Sequence, residues 1–413
     1  MFRINNKILS NFFSLSLSEI LSRAANFAAV IFIARYFNVD EFGILGFATS
    51  FISYFYLLVN FGFDIYGIRE VAKENNRAYE LLNKIVSAKL FLSVICFPII
   101  IIISLFFESS VLAMIIILYG LTLFTSTFNI YWYYQAFERM KMILRIKAIE
   151  SLLYLGITVT LAVSAQSLIV IPLALLFSQA IAYIYYFSHI KFNFFSAFNN
   201  SFYNLKKLIK ETYMIGLSSL FILVYYNLDL IMLKYFRSDY EVGIYNSAYR
   251  IFLVAIVPLQ LILATFFPSL SKLGLTPSRE MIKRIKNYSV ALISTAITIS
   301  LFLSLFSEPL ISLLFGDKFI FAAKPLLILS MNVLVVGINI VFGNPLIAWG
   351  KQKQYVIAIG IGALVNVILN FILIPEYSYM GAALATLLAE ASVFVGVVIC
   401  FSKYYFRVVK VAR

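Results

Sequence analysis

"YFNVDEFGILGF", residues 36–47, is a polar break between two long apolar runs, and "YFRSDYEVGIYN", residues 235–246, is a near copy of it. Tyr36-Phe37 aligns with Tyr235-Phe236, Asp40 with Asp239 and, after one inserted residue, Gly43-Ile44 with Gly243-Ile244. The echo does not stand alone. "AFERMK" (136–141) answers "AWGKQK" (348–353), and "LALLFSQA" (173–180) answers "LATLLAEA" (384–391), in the same order and at nearly the same offset. One short apolar match arises by chance; three in register imply a duplicated unit.

Composition says what that unit is. Of 413 residues, 62% are hydrophobic and 13% charged, whereas a soluble domain averages roughly 45–50% apolar and about 25% charged. Apolar runs of roughly 20 residues, each able to cross about 30 Å of hydrocarbon as a helix, recur along almost the whole chain. Spans fall near 11–34, 43–67, 85–107, 111–134, 148–165, 168–188, 212–233, 243–267, 288–307, 325–348, 355–374 and 380–402. The expected fold is all-α and polytopic, with twelve transmembrane helices in two pseudo-symmetric lobes of six. Six is even, so both copies enter the membrane with the same polarity, as a parallel repeat about an axis along the membrane normal. The expected organisation is an N-lobe over 1–188, a cytoplasmic amphipathic linker over 189–211 and a C-lobe over 212–413, with the lobes facing one another across a cavity. The linker "KFNFFSAFNNSFYNLKKLIKE" mixes Phe, Leu and Lys as an interfacial helix does. No small-residue cleavage pattern follows the first span, so it is not expected to be a removable signal.

Charge sets the orientation. Alternate loops hold 25 of the 33 Lys and Arg; the other side holds only Arg35, Lys234, Arg237, Lys318 and Lys324, and Arg23, Lys89 and Arg250 lie within or at the edge of spans. The basic side is cytoplasmic, which puts both termini inside. The net charge of +14 is therefore a topology signal, and no nucleic acid partner is expected. Cys96 and Cys400 both sit in apolar segments and read as packing residues. The single His189 cannot assemble a metal cluster. The longest outer stretch, "EPLISLLFGDKFIFAAK" (308–324), leaves little room for a catalytic domain, so no enzyme and no resident cofactor are expected.

Ionisable residues inside spans are costly, at least about 2.5–3.5 kcal/mol at a helix centre, and mark cavities or partners. Here they are Glu19, Arg23, Asp64, Lys89, Glu150, Asp229, Arg250 and Glu390. Arg23 lies four residues after Glu19, on the same helical face. It is either an internal ion pair or a cavity cation for an anionic group. Arg250 has no acid within a turn and reads either as a cavity cation or as a partner of Asp229. Lys89 either joins them or snorkels to the interface. Arginine suits a diphosphate because its planar fork donates two parallel hydrogen bonds and stays charged. Arg23, Arg250 and Lys89 are the candidate substrate-binding residues. Asp229, Asn366, Asn370 and Thr386 form a second set. Their oxygens suit a hard cation such as Na⁺, the alternative being amide and hydroxyl contacts that join helices. Trp132 and Trp349, at the inner ends of equivalent spans, read as an interfacial belt, and Pro258 and Pro345 as kinks.

The stretches "ARYFNVDEFGILGFATSF", "NFGFDIYGIREVA", "LDLIMLKYFRSDYEVGIYNSAYRI", "LLFGDKFIFAAKPLLIL" and "NFILIPEYSYMGAALATLLAE" carry a resemblance that covers nearly the whole chain. It resembles the O-antigen type of polysaccharide flippase in the multidrug/oligosaccharidyl-lipid/polysaccharide (MOP) exporter superfamily. The resemblance implies a MATE-like two-lobe fold. It also implies transport of a polyprenyl-diphosphate-linked oligosaccharide from the cytoplasmic to the outer leaflet of the bacterial inner membrane by alternating access, coupled to an ion gradient. The bilayer and other polysaccharide-assembly membrane proteins are the implied partners. "SRAANFAAVIFIAR" and "YRIFLVAIVPLQLILATFFPSLSK" are similar to the first and eighth spans of lipid II flippases, and Arg23 and Arg250 fall on cavity arginines there. A further arginine of that branch falls on Ala29, which counts against a lipid II substrate. The same branch has a sodium site whose positions match Asp229, Asn366, Asn370 and Thr386, with an acidic ligand replaced by Asn370; the implied coupling ion is Na⁺ or H⁺. Two rivals remain. A drug or cation antiporter of the same superfamily predicts acidic, aromatic cavity walls. A membrane polymerase or glycosyltransferase on the same lipid needs a substantial catalytic loop.

Overall fold

A computed structural model describes residues 6–190, 201–273 and 279–412. Among the described residues there is no strand. Among the described residues eleven helical stretches are long and apolar enough to cross a membrane. The last, 352–404, holds two spans, because Ser378 (φ 53°, ψ −134°) breaks it after Pro375, which makes twelve among the described residues. The protein is a multi-pass helical membrane protein, as the apolar periodicity demands.

By packing, the chain divides into two compact units: 1–37 with 48–220, and 38–47 with 221–413. The first unit contains α1 (Asn6–Tyr36), most of α2 (Val39–Asn60), α3 (Phe63–Lys73), α4 (Ala78–Ser104), α5 (Ser110–Ser126), α6 (Tyr131–Ala136), α7 (Met140–Ala165) and α8 (Val170–Phe187). It also holds the start of α9 (Ser201–Phe236). Here α1 lies along α7, α7 along α8, and α3 against α6. Spans drawn as single helices over 43–67 and 111–134 are each broken near one end. Phe61 and Gly62 take positive φ between α2 and α3. At the end of α5, Thr125, Ser126 and Thr127 turn their hydroxyls back onto the carbonyls of Thr122, Leu123 and Phe124, which loosens a helix. The linker expected over 189–211 is helical from Ser201 and runs unbroken into the seventh span; 191–200 lie outside the described residues.

The second unit contains the rest of α9, α10 (Asp239–Ala255), α11 (Val257–Leu273), α12 (Arg279–Leu305), α13 (Ser307–Phe315), α14 (Ala323–Ala348) and α15 (Gln352–Ala412). The stretch 308–324 is not loop: α13 and a 3-10 turn at Asp317–Ala322 fill it, with Phe315 and Phe319 packed on Phe42. Pro258 sits in the first turn of α11, just past the break that ends α10, where a missing N–H costs least. Pro345 lies inside an unbroken α14.

The repeated stretch is now explained. Each copy starts a helix with a capping box, in which a side chain and an N3 glutamate satisfy each other's backbone N–H groups. In the first copy Asn38 Oδ1 accepts from Glu41 N–H, and Asn38 N–H donates to Glu41, both at 2.8 Å. In the second, Ser238 and Glu241 do the same. The structural register therefore sets Asn38 on Ser238, one residue away from the alignment through Asp40 and Asp239. Residues 38–47 pack against α10 within the second unit, and the repeated glycines meet the opposite backbone. A Cβ at Gly43 would lie 1.9 Å from the Asp239 carbonyl oxygen, and one at Gly243 would lie 2.1 Å from that of Val39. Only hydrogen fits at either place, so the two copies cross in direct backbone contact.

Candidate functional site

In the first unit, Arg23 stands on α1 with its side chain 47% exposed and its Nε 3.5 Å from Glu19. Glu19 also accepts from Lys147 of α7, and the Lys147 ammonium lies 5.6 Å from the Tyr131 ring centroid. One carboxylate is thus shared by two cations. Lys147, which sequence position assigns to a loop, is drawn in because α7 begins at Met140 and extends the fifth span toward the basic side. Tyr131 and Tyr183 both donate to Glu150, Tyr183 at 2.8 Å. Lys89 does not snorkel. It is 3% exposed and ion-paired to Asp64 at 2.6 Å, and Asn60 donates to the same carboxylate across the α2–α3 break.

In the second unit, Arg250 is partly exposed on α10, and its Nε donates to Asn246 Oδ1 at 3.3 Å. Asn246 in turn rests on the first copy of the repeat: a Cβ at Gly46 would lie 2.6 Å from its Nδ2. The repeat that crosses the backbones therefore also seats the residue that aims Arg250.

The structure brings Asp229, Asn366, Asn370 and Thr386 together. Asp229 on α9 is 1% exposed. It accepts from Thr386 at 2.7 Å and from Asn370 Nδ2, which also donates to Asn366 at 3.1 Å. A fifth member, Tyr245 of α10, donates to Asp229 at 2.6 Å and lies 3.2 Å from Thr386. The sequence reading missed Tyr245; its signal was its place in the repeated stretch, where the first copy has Leu45. The Ser378 kink makes the cluster possible, because it turns α15 back so that Thr386 faces the carboxylate that Asn370 already reaches. Asn370 Oδ1 is buried with no hydrogen-bond partner, and Asn366 stands beside the Asp229 carboxylate. With three hydroxyl or amide neighbours around a single carboxylate, the cluster offers oxygens and one negative charge.

The interfacial belt expected of the tryptophans is not what forms. Trp132 and Trp349 are 2% and 7% exposed. Trp132 fills the slot that Gly67 leaves open, and Trp349 stacks on Phe401 with centroids 5.5 Å apart. An indole finds more contact area in these slots than at a headgroup boundary.

A multi-pass helical bundle with charged side chains inside its spans defines a membrane protein with an intramembrane functional site, the class to which transporters belong. Known structures agree on the fold. The chain superposes on the lipid II flippase MurJ in an inward closed conformation with TM-score 0.72 at 17% identity, covering 96% of this chain and 89% of that one. It superposes on an inward-facing multidrug resistance MATE transporter of the MOP superfamily with TM-score 0.74 at 13% identity, covering 96% and 99%. Residues 8–274 match the family described as polysaccharide biosynthesis protein, and the chain belongs to that family. It is 26% identical to the capsular polysaccharide biosynthesis protein CapF of Staphylococcus aureus, over 97% of this chain and 99% of that one. To the putative O-antigen transporter of Shigella dysenteriae it is 24% identical, over 86% and 90%. The match to the probable low-salt glycan biosynthesis flippase Agl15 of Haloferax volcanii, 27% identical, spans 46% of this chain and 41% of the relative.

Proposed function

We propose that this protein flips a polyprenyl-diphosphate-linked oligosaccharide from the cytoplasmic to the outer leaflet of a bacterial inner membrane by alternating access, with both termini inside. The carrying observation is a partly exposed guanidinium inside a span of each unit, Arg23 and Arg250. A diphosphate cannot enter hydrocarbon uncompensated, and arginine neutralises it without losing its own proton. In the first unit Lys147 joins Arg23, and Glu19 holds both cations until phosphate oxygens replace its carboxylate. Lys89 is a supporting residue, its charge balanced by Asp64. The Asp229 cluster binds the coupling cation, Na⁺ or H⁺, in place of hydrogen bonds that now close it. Relatives named for glycan, capsule and O-antigen assembly support the substrate class.

The test is transport by protein reconstituted in proteoliposomes carrying a fluorescent lipid-linked oligosaccharide. Arg250→Ala should insert normally and abolish flipping; flipping at the wild-type rate would refute the role. Asp229→Asn should remove the dependence on the cation gradient, and wild-type transport that ignores both Na⁺ and pH gradients would refute the coupling.

A further inference from the structure

Two intramembrane carboxylates stand outside this reading, Glu150 and Glu390. Glu150 is capped by two tyrosine hydroxyls. Glu390 is in a different position. It lies on α15 beyond the Ser378 kink, four residues after Thr386, and is 7% exposed. Asn339 of α14 donates its Nδ2 to the Glu390 carboxylate and lies 3.1 Å from the Glu390 carbonyl. No Lys or Arg among the described residues pairs with it. The titratable groups around it are the phenols of Tyr225, Tyr226 and Tyr355, which line the same cavity, and of Tyr249.

Glu390, Asn339 and Tyr225 line one cavity of about 230 Å³ within the second unit. Asn339 Oδ1 is buried there without a hydrogen-bond partner, in a residue 7% exposed, and the Tyr225 hydroxyl, in a residue 5% exposed, is turned to the Glu390 carboxyl. A buried polar atom left unmade costs about 1–3 kcal/mol, and a carboxylate at membrane depth costs more unless balanced. Oxygens of carboxyl, amide and phenol types therefore share one space in which no Lys or Arg among the described residues balances the Glu390 carboxyl.

We propose that this cavity binds a small monovalent metal cation of the Na⁺ kind through Glu390, Asn339 and Tyr225, separately from the Asp229 cluster. All-oxygen donors select hard cations over soft ones. A single carboxylate balances one positive charge, so a monovalent ion is the charge-matched ligand. The space exceeds what a bare ion fills, so waters complete its shell. Thr386 and Glu390 are four apart on one helix and so share a face. Tyr249 stacks on Tyr245, the Asp229 partner, with centroids 5.5 Å apart. The two sites are therefore neighbours on one helix, and binding at Glu390 does not rest on the coupling role given to Asp229.

The experiment is equilibrium binding of ²²Na⁺ to the full-length protein in lipid nanodiscs at fixed pH. Glu390→Gln keeps shape and removes the charge. It should eliminate one bound Na⁺ per chain, or weaken it by at least the roughly tenfold that losing even an outer ligand partner costs. Tyr225→Phe, which removes one oxygen and no charge, should weaken the same ion and serves if Glu390→Gln does not fold. Asp229→Asn should leave the Glu390 ion bound; if it leaves all Na⁺ bound while Glu390→Gln does not, Na⁺ is refuted as the ion of the Asp229 cluster and the Glu390 site stands. Wild-type Na⁺ stoichiometry and affinity in both Glu390→Gln and Tyr225→Phe would overturn the site, as would a wild-type protein that binds no Na⁺.

Discussion

Gly43→Ala and Gly243→Ala test the crossing of the two repeat copies. An alanine Cβ at Gly43 would sit 1.9 Å from the Asp239 carbonyl oxygen, and one at Gly243 would sit 2.1 Å from the Val39 oxygen, whereas real Cβ contacts stay beyond 3.0 Å. The backbones must part by about 1 Å in either case. Neither obstacle is a flexible side chain that can rotate away, so each substitution should cost about 2–3 kcal/mol, the upper part of the overpacking range. The two costs should not add. One separation of residues 38–47 from α10 relieves both clashes, so the double variant should lose about what one single variant loses, a coupling of roughly 2–3 kcal/mol between contacting sites. Equilibrium unfolding of the purified protein in mixed micelles measures these quantities. Gly156→Ala is the control. Nothing lies within 4 Å of a Cβ there, so the substitution should stabilise by about 0.4–1 kcal/mol through the unfolded chain. Single variants within about 0.5 kcal/mol of wild type, or a double variant whose loss is the sum of the two, would refute the backbone crossing.

Three further outcomes follow from the charged groups. Arg250→Lys should recover only part of the flipping lost in Arg250→Ala, because an ammonium cannot donate the two parallel bonds of a guanidinium; full recovery would mean that charge alone matters there. Glu19→Gln should tighten binding of a short isoprenyl diphosphate, measured by calorimetry, since Arg23 and Lys147 no longer share a carboxylate; unchanged or weaker binding would remove Glu19 as a stand-in for phosphate. Asp64→Asn should destabilise the first unit by about 3 kcal/mol or more, because it strands the buried Lys89 ammonium. Lys89→Met should cost less in the same melt, since the Asp64 side chain is 30% exposed and can be hydrated; the reverse order would contradict the assigned burial.

Much of this protein is written locally. Span length and apolarity must be satisfied segment by segment, because each backbone polar group in lipid needs a partner within its own helix. Twelve spans were therefore countable one at a time, and the duplicated stretch showed itself as a string of letters. The set Asp229, Asn366, Asn370 and Thr386 was legible too, since polar residues in such spans stand out against the hydrocarbon background. The registers of contact were not legible. Whether Lys89 reached an interface or an acid depended on Asp64 lying 25 residues earlier and opposite it. Trp132 and Trp349 looked interfacial by position along the chain, and their burial depended on slots opened by other helices.

The sequence by itself determined the membrane class, the number of spans and the twofold duplication, because hydrophobic length and local capping act over one helix and no further. Tertiary structure decided what each intramembrane charge faces. It folded α15 back at Ser378 to close Asp229 among Tyr245, Asn370 and Thr386, placed Lys147 on Glu19, and set Glu390 on the wall of a cavity with Asn339 and Tyr225. The Thr386–Asp229 bond alone joins residues 157 positions apart. Such pairings are fixed by the packing of helix against helix, which no single segment encodes.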